Sequence, residues 1–589
     1  MKEFFKMMFA SMLGFFLACA VVSIIFFGII ASALSFAKKQ VVAVPEKTIL
    51  QLTLDQPIND RASDNPLTYL GFDKNFSKPM GLTEILESLR KAKSDDKISG
   101  VYLDLDEVPA SIATIEEIRN SLLDFKKSGK FIVSYSEGYS QKAYYLASVS
   151  DKIYLNPAGS MQFKGLAGQV MFFKGLLEKL DVEPQIIRHG KFKSAVEPFI
   201  LDKMSEPSKE QTRTYVTSIW NHMLDGISLS RKVSTVELTA IADNHKIQKP
   251  EDAVDNKLVD KLLYKDQLID ELKNRVGAKN AKDISLMKLS KYMDAPSSEK
   301  GDGQPKDRIA VIYAQGDIVS GEGDEESIGS ERISKAIRKA RTDDKVKAIV
   351  FRVNSPGGSA LASDVIWREI ELAKKVKPVV VSMGDLAASG GYYISCAATK
   401  IFASPNTLTG SIGVFGIVPN MQKFFNNNLG ITFDDVKTNP YADYIPTMRP
   451  MTEAEKNFLT ADIENIYSTF LKHVSEGRKM DVASVDSIGQ GRVWSGADAK
   501  RIGLIDEFGG LQAAIDEAAK LAKIEKYRLM KLPEQKDTMT QIMEALNGDP
   551  SSTMLKKQLG VAYPYLKYLQ SMSRMEGVQA LMPYDLNIQ

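Results

Sequence analysis

The residue type best placed to do chemistry is a serine, Ser389, within Lys377–Cys396 (KPVVVSMGDLAASGGYYISC). Pro378-Val379-Val380-Val381 reads as a short buried strand, Gly384-Asp385 as its break, and Ala387-Ala388-Ser389-Gly390-Gly391 as the start of a helix. A strand-to-helix turn built of small residues exposes one hydroxyl, and Gly390 lets its backbone N–H approach a substrate oxygen. A nucleophilic serine needs both, an unobstructed Oγ and an oxyanion donor beside it. The same stretch taken alone also fits a tight turn with a capping serine. A second candidate, Asn354-Ser355-Pro356-Gly357-Gly358, places a double glycine at the end of a strand, where N–H groups can be aimed into a site.

A serine nucleophile needs a base. The four histidines are His189, His222, His245 and His473. His222 and His473 fall in charged helical stretches and read as surface residues, and His245 precedes a linker-like run. His189 stands just before Gly190-Lys191-Phe192-Lys193-Ser194-Ala195-Val196-Glu197-Pro198-Phe199. There Lys193 lies between Phe192 and a small, apolar pair. A lysine replaces histidine as general base if burial lowers its pKa from about 10.4 to about 7–8, at roughly 1.4 kcal/mol per unit. A solvated loop lysine would carry the same spacing.

The elements that must hold these groups repeat. Thr48–Leu54 (TILQLTL) alternates as a strand, residues 80–93 read as a helix, Lys130–Ser134 as a strand, and a helix follows with Tyr144-Tyr145. Strand and helix in alternation indicate an α/β class with parallel strands. Residues 203–275 are dominated by helical periodicity. Asp294–Asp307 (DAPSSEKGDGQPKD) is a polar linker, after which the pattern restarts with Arg308–Ala314 (RIAVIYA). RKARTDDKVKAIVFRV at 338–353 aligns with RKAKSDDKISGVYLDL at 90–105, a shift of 248 residues (338 − 90). The same shift sets Tyr392-Tyr393 on Tyr144-Tyr145, so the chain is a tandem duplication. It also sets Ser389 on Gln141, Gly357-Gly358 on Pro109-Ala110 and Tyr441 on Lys193. The rear half reads as armed and the front half as disarmed, each holding what the other lacks.

With 589 residues the chain exceeds one core, and a net charge of +2 shows no bias toward nucleic acid. No zinc spacing, Walker loop or dinucleotide fingerprint is present, and acyl transfer by a serine with a lysine base would require neither metal nor organic cofactor. Cys19 and Cys396 are the two cysteines, and the first lies in an apolar segment, away from any disulfide partner. That segment, residues 7–37, carries no charged residue and is flanked by Lys6 and Lys38, long enough to span a bilayer. The expected layout is an anchor over 1–40, a front half over 45–293, a linker over 294–307, a rear half over 308–529 and a tail over 530–589. TQIMEALNG and YPYLKYLQSMSRM make the tail read as amphipathic helices.

GDLAASGGYYIS, NSPGGS, TLTGSIGVFG (407–416) and GKFKSAVEPF, in their order along the duplicated chain, closely resemble the S49 serine peptidases. The likeness is to their long, tandem-repeat signal peptide peptidase A form. The resemblance implies tandem Clp/crotonase-like domains behind an N-terminal transmembrane helix. It implies Ser389 as nucleophile and Lys193 as general base, a dyad built from opposite halves, with Ser411 orienting the lysine. Gly390 and Gly358 would supply oxyanion N–H groups, and Gly357 would shape their turn. It further implies hydrophobic peptide substrates, among them remnant signal peptides, and a homotetramer in the bacterial inner membrane facing the periplasm. Three other readings stay open: a crotonase-type acyl-CoA enzyme, a serine hydrolase with His189 as base, and a non-enzymatic membrane scaffold. Lys193 could serve Ser389 of its own chain or of a neighbour.

Overall fold

The computed structural model describes residues 2–36, 42–62, 80–296, 305–535, 578–582 and 587–588. The N-terminal helix, Lys2–Phe36, is exposed wherever its side chains are described. Among the described residues it is the one helix long and apolar enough to cross a membrane.

Two parallel sheets follow. The front sheet runs in the order Lys261–Leu262, Lys152–Met161, Phe131–Tyr139, Ile98–Asp104, Thr48–Leu52, Leu286–Lys288, all neighbours parallel. The rear sheet is centred on Val379–Ala388, Val346–Ser355 and Arg308–Gln315, again parallel. Thr48–Leu52 is buried almost throughout rather than on alternate residues, as a strand covered on both faces must be.

The duplication is visible in detail. Helices Leu82–Ser94 and Ile112–Lys126 of the front half recur as Ser330–Thr342 and Ala360–Lys374, in the register read from the sequence. The Tyr144 hydroxyl donates to the Leu258 carbonyl at 2.9 Å, and that of Tyr392 donates to Leu504 at 2.9 Å. Arg231 pairs with Asp260 as Arg478 pairs with Asp506.

Several expectations need correcting. Gly384-Asp385 does not break the strand, which continues from Val379 to Ala388. The disturbance is instead a register shift against Val353–Ser355, where Asn354 Oδ1 accepts from the Leu386 N–H at 3.1 Å. The boundary drawn at 529/530 cuts a strand, Arg528–Leu532, that pairs with Arg308–Gln315. The described parts of the tail are strands too, Gln579–Leu581 and Asn587–Ile588. The two helices expected in the tail lie outside the described residues, as does most of the linker.

A buried charged cluster fastens the halves together. The Arg352 guanidinium, fully buried in the rear sheet, meets Asp60 Oδ1 at 2.8 Å and Glu117 Oε1 at 2.7 Å, both from the front half. Burial pushes the Glu117 carboxyl up, against the pull of that guanidinium. Nearby, Asp385 accepts from the Thr114 N–H at 2.8 Å and the Thr114 hydroxyl at 2.7 Å. Four positions before Ser389, the nucleophile strand is thus held by the first turn of a front-half helix.

Candidate active site

Ser389 sits where the strand Val379–Ala388 gives way to the short helix Gly390–Tyr393. Its backbone is at φ 56°, ψ −113°, a conformation that non-glycine residues rarely adopt and that costs about 1–3 kcal/mol. The turn is held from outside: the Ser389 N–H donates to the Gly410 carbonyl at 2.8 Å. Ser411, at φ 51°, is fixed by its own N–H donating to Arg492 at 2.7 Å.

Lys193 arrives from the front half. The strand Glu183–Arg188 leaves its own repeat and pairs antiparallel with Phe415–Asn420 of the rear half. The loop after it then packs into the rear half. Gly190 lies against Gln490, Phe192 N–H donates to the Gln490 carbonyl at 2.8 Å, and a Cβ on Gly491 would strike the Lys193 backbone at 2.6 Å. Gln211 clamps both sides, donating to the Phe192 carbonyl at 3.0 Å and accepting from the Val493 N–H at 3.1 Å. The result is that Lys193 Nζ lies 2.8 Å from Ser389 Oγ, within one chain. Its other contacts are to Ser411, 3.1 Å to Oγ and 3.2 Å to the carbonyl oxygen.

Lys193, Ser389 and Ser411 are all 0% exposed, which excludes the solvated loop lysine. Burial drives the Lys193 pKa well below its ordinary 10.5. An amine that has lost its proton has a lone pair to accept a hydroxyl proton, while its remaining N–H groups donate to Ser411.

Gly357 and Gly358, at φ 111° and 148°, open the short strand Gly357–Ser359, which runs beside the Gly390–Tyr393 helix that follows Ser389. A Cβ on Gly357 would come within 2.8 Å of the Gly390 nitrogen, so only glycine leaves the space between these N–H groups open. The structure therefore gathers all six candidates named from the sequence: Ser389, Lys193, Ser411, Gly390, Gly358 and Gly357.

The histidines do not join them. His189 stacks on Tyr467 with ring centroids 3.9 Å apart and sets Nδ1 2.7 Å from Glu464. His473 is not a surface residue as expected. Its side chain is 11% exposed, stacked on Trp367 and 3.1 Å from Asp364. His222 is half-buried against Glu116, and His245 is exposed. Tyr441, which the 248-residue shift sets on Lys193, is half exposed and packs edge-on against Phe458. The helices that follow, Glu206–Arg231 and Glu453–Arg478, are offset by 247 (453 − 206), so the gapless shift does not hold across this region. The supporting residues Thr114, Gln211 and Arg352 escaped the sequence reading because nothing in their local spacing marks them. Both cysteines are free, as expected.

Comparison with known proteins shows the family. The model of Peptidase family S49 matches twice, over residues 124–279 and 371–525, and that of Clp protease matches residues 301–409. The chain is 38% identical to Protease 4 of Salmonella typhi over 480 residues, 79% of this chain and 76% of that protein. It is 33% identical to Protease 4 of Haemophilus influenzae, covering 85% of this chain and 84% of that one. Identity to the chloroplastic serine protease SPPA of Arabidopsis thaliana is 34%, covering 92% and 78% respectively.

Proposed function

Since this chain belongs to peptidase family S49 and is a serine protease, we propose that Ser389 is its nucleophile, Lys193 its general base and hydrophobic peptides its substrates. Neutral Lys193 takes the Ser389 proton as Oγ attacks a peptide carbonyl, and the new tetrahedral oxygen is held by the N–H groups of Gly390 and Gly358. The lysine, now charged and donating to Ser411, passes its proton to the leaving amine. It then deprotonates the water that releases the acyl-enzyme. The serine's first proton leaves with the amine product and the proton taken from water replaces it on Ser389 Oγ, so a single buried amine completes the cycle.

The observation that carries this reading is the 2.8 Å approach of a buried, proton-poor amine to the serine in the strained turn. The acyl-CoA reading needs no such pair. His189 is engaged by Glu464 and Tyr467, which leaves the histidine-based version without its base.

The apolar Lys2–Phe36 helix supports a single-pass anchor that keeps the peptidase beside a bilayer, where excised signal peptides accumulate. Periplasmic orientation and a homotetramer accompany the family resemblance. Protease accessibility in spheroplasts tests the first, and sedimentation of the detergent-solubilised chain tests the second. The dyad is tested with a fluorogenic apolar peptide and a serine-directed fluorophosphonate. Wild type and His189→Ala should hydrolyse the peptide, whereas Ser389→Ala and Lys193→Met should not. Near-normal turnover by Lys193→Met would overturn the assignment.

A further inference from the structure

The nucleophile stands at the head of a helix too short to fix its own direction. Gly390–Tyr393 is a single turn, held internally by Tyr393 N–H donating to the Ser389 carbonyl at 2.8 Å and Ile394 N–H donating to Gly390 at 3.0 Å. A strained residue such as Ser389 keeps its conformation only where the surrounding structure over-determines it. Part of that support comes from the helix Ala360–Lys374, which continues directly from the strand Gly357–Ser359. Two successive residues near its start reach the two ends of the nucleophile helix. Ser363, fully buried, donates its hydroxyl to the Ser359 carbonyl at 2.8 Å, and a Cβ on Gly390 would stand 2.8 Å from that Oγ. Asp364 Oδ1 accepts from the Tyr393 hydroxyl at 2.8 Å and lies 3.1 Å from His473 Nε2.

The front copy shows which part of this arrangement belongs to the scaffold. Tyr145, in register with Tyr393, donates to Glu116, in register with Asp364, and His222 Nε2 lies 3.3 Å from the same carboxylate. That histidine comes from one turn earlier on its helix, since the offset of 247 sets His222 on Thr469. Both copies thus hold a tyrosine on a carboxylate backed by a histidine, the histidine recruited from different positions. Ser363 has no such counterpart: Ile115 takes its place in the front copy, and Lys142 takes that of Gly390. The hydroxyl prop occurs only beside the turn that carries a nucleophile. Behind Asp364 the packing is close, with Trp367 stacked on His473 at 3.4 Å between ring centroids and Tyr393 against Phe470 at 4.6 Å. The His473 hydrogen bond holds the Asp364 carboxyl below its usual range, which keeps it an ionised and strong acceptor.

We propose that Ser363 and Asp364 are positioning residues that set the nucleophile turn against the oxyanion N–H of Gly358, Ser363 by propping Gly390 and Asp364 by tethering Tyr393. His473 orients the Asp364 carboxylate from behind. This rests on Ser389 being the nucleophile. One helix thereby carries the Gly357–Ser359 strand at its head and grips the nucleophile helix at both ends, so Ser389 Oγ and the two oxyanion N–H groups keep one mutual geometry. Reacting groups must be held to within about 0.5 Å of that geometry. A displaced turn weakens contacts made in the transition state more than those made by bound peptide, so it lowers kcat and spares KM.

The test uses the full-length, detergent-solubilised protein, a fluorogenic apolar peptide and the serine-directed fluorophosphonate. Tyr393→Phe removes one hydroxyl and little else, and Ser363→Ala removes the prop. Each should lower kcat about tenfold with KM within about twofold of wild type. The rate of fluorophosphonate labelling at Ser389 should fall with kcat, since that reaction uses the nucleophile and the oxyanion donors without a peptide. Tyr145→Phe breaks the matching bond in the front copy and should leave kcat and KM unchanged at a similar loss of stability to urea. Unchanged kcat in either rear variant removes that residue from the role, and unchanged kcat in both overturns the proposal. So does an equal fall in Tyr145→Phe, which would mark a general loosening of the fold. A rise in KM at constant kcat overturns it as well. The probe separates these failures from failure of the nucleophile assignment. If Ser389 of the wild type is labelled while the variants keep their kcat, only the positioning role falls. If Ser389 of the wild type is not labelled, both readings fall.

Discussion

The front and rear repeats share a framework of sheet and helices and part ways at the turn that carries Ser389 in the rear copy. In the rear copy the turn ends on Ser389, whose Oγ lies 3.4 Å from the Gly413 carbonyl. In the front copy the residue in register is Gln141. Its Oε1 accepts from the N–H groups of Lys164 and Gly165 at 3.0 and 3.1 Å, and its Nε2 donates to the Gly165 carbonyl at 3.0 Å. The amide thereby closes the space that the rear copy keeps for a reacting group. The neighbouring polar position serves one purpose in both: Asp106 accepts from the Gly138 N–H as Asn354 accepts from Leu386. The scaffold tolerates either outcome. What makes the rear copy reactive is a hydroxyl on a strained turn, two glycines opposite it and an amine lent by the front copy.

The largest expected effect separates the copies by activity. Ser389→Ala should lower kcat/KM by about 10⁴-fold or more, the scale seen when a nucleophile is removed. Gln141→Ala should leave kcat/KM unchanged and cost about 1 kcal/mol of stability, because the N–H groups of Lys164 and Gly165 lose a part-buried acceptor. Activity lost with Gln141→Ala would mean that the front turn is no mere relic.

Next comes the join between the copies. Arg352→Met leaves Asp60 and Glu117 buried without their partner and should destabilise the protein by about 3–5 kcal/mol in urea unfolding. A loss under 1 kcal/mol would show that the halves are held chiefly by apolar contact.

The lent amine itself has a signature in pH. In the unfolded chain Lys193 keeps its proton up to about 10.5, whereas the folded chain releases it at lower pH. Between those two values the unfolded state binds the extra proton, so this group makes stability rise with pH, and its cost is gone above 10.5. Lys193→Met should therefore raise Tm at neutral pH, by an amount that shrinks as pH approaches 10.5, while activity is lost. In wild type, kcat/KM should rise with pH through one ionisation well below 10.5.

The smallest expected effect is at Ser411. Ser411→Ala removes one acceptor from the amine but leaves the backbone carbonyl contact. The expected loss in kcat is about tenfold, roughly 1.4 kcal/mol.

Much of this was legible in the residues. The duplication followed from a shared register of charges, aromatics and apolar runs, and the two helices Leu82–Ser94 and Ser330–Thr342 begin in that register. Ser389, Gly357 and Gly358 were marked by composition, since small residues at strand ends signal exposed backbone. The strand through Gly384-Asp385 was misread because a glycine followed by an aspartate suggests a turn. Here Asn354 and Thr114, distant in sequence, supply the bonds that carry the strand onward.

The sequence by itself determined the repeat, the apolar leader and the inventory of reactive groups, because these are properties of order and composition. Only the tertiary structure decided that Lys193 is buried against Ser389 of its own chain and that His189, His222 and His473 are engaged elsewhere. Burial and approach depend on segments separated by some two hundred residues or more meeting in space. Lys193 and Ser389 stand 196 residues apart, and no local pattern encodes such a distance.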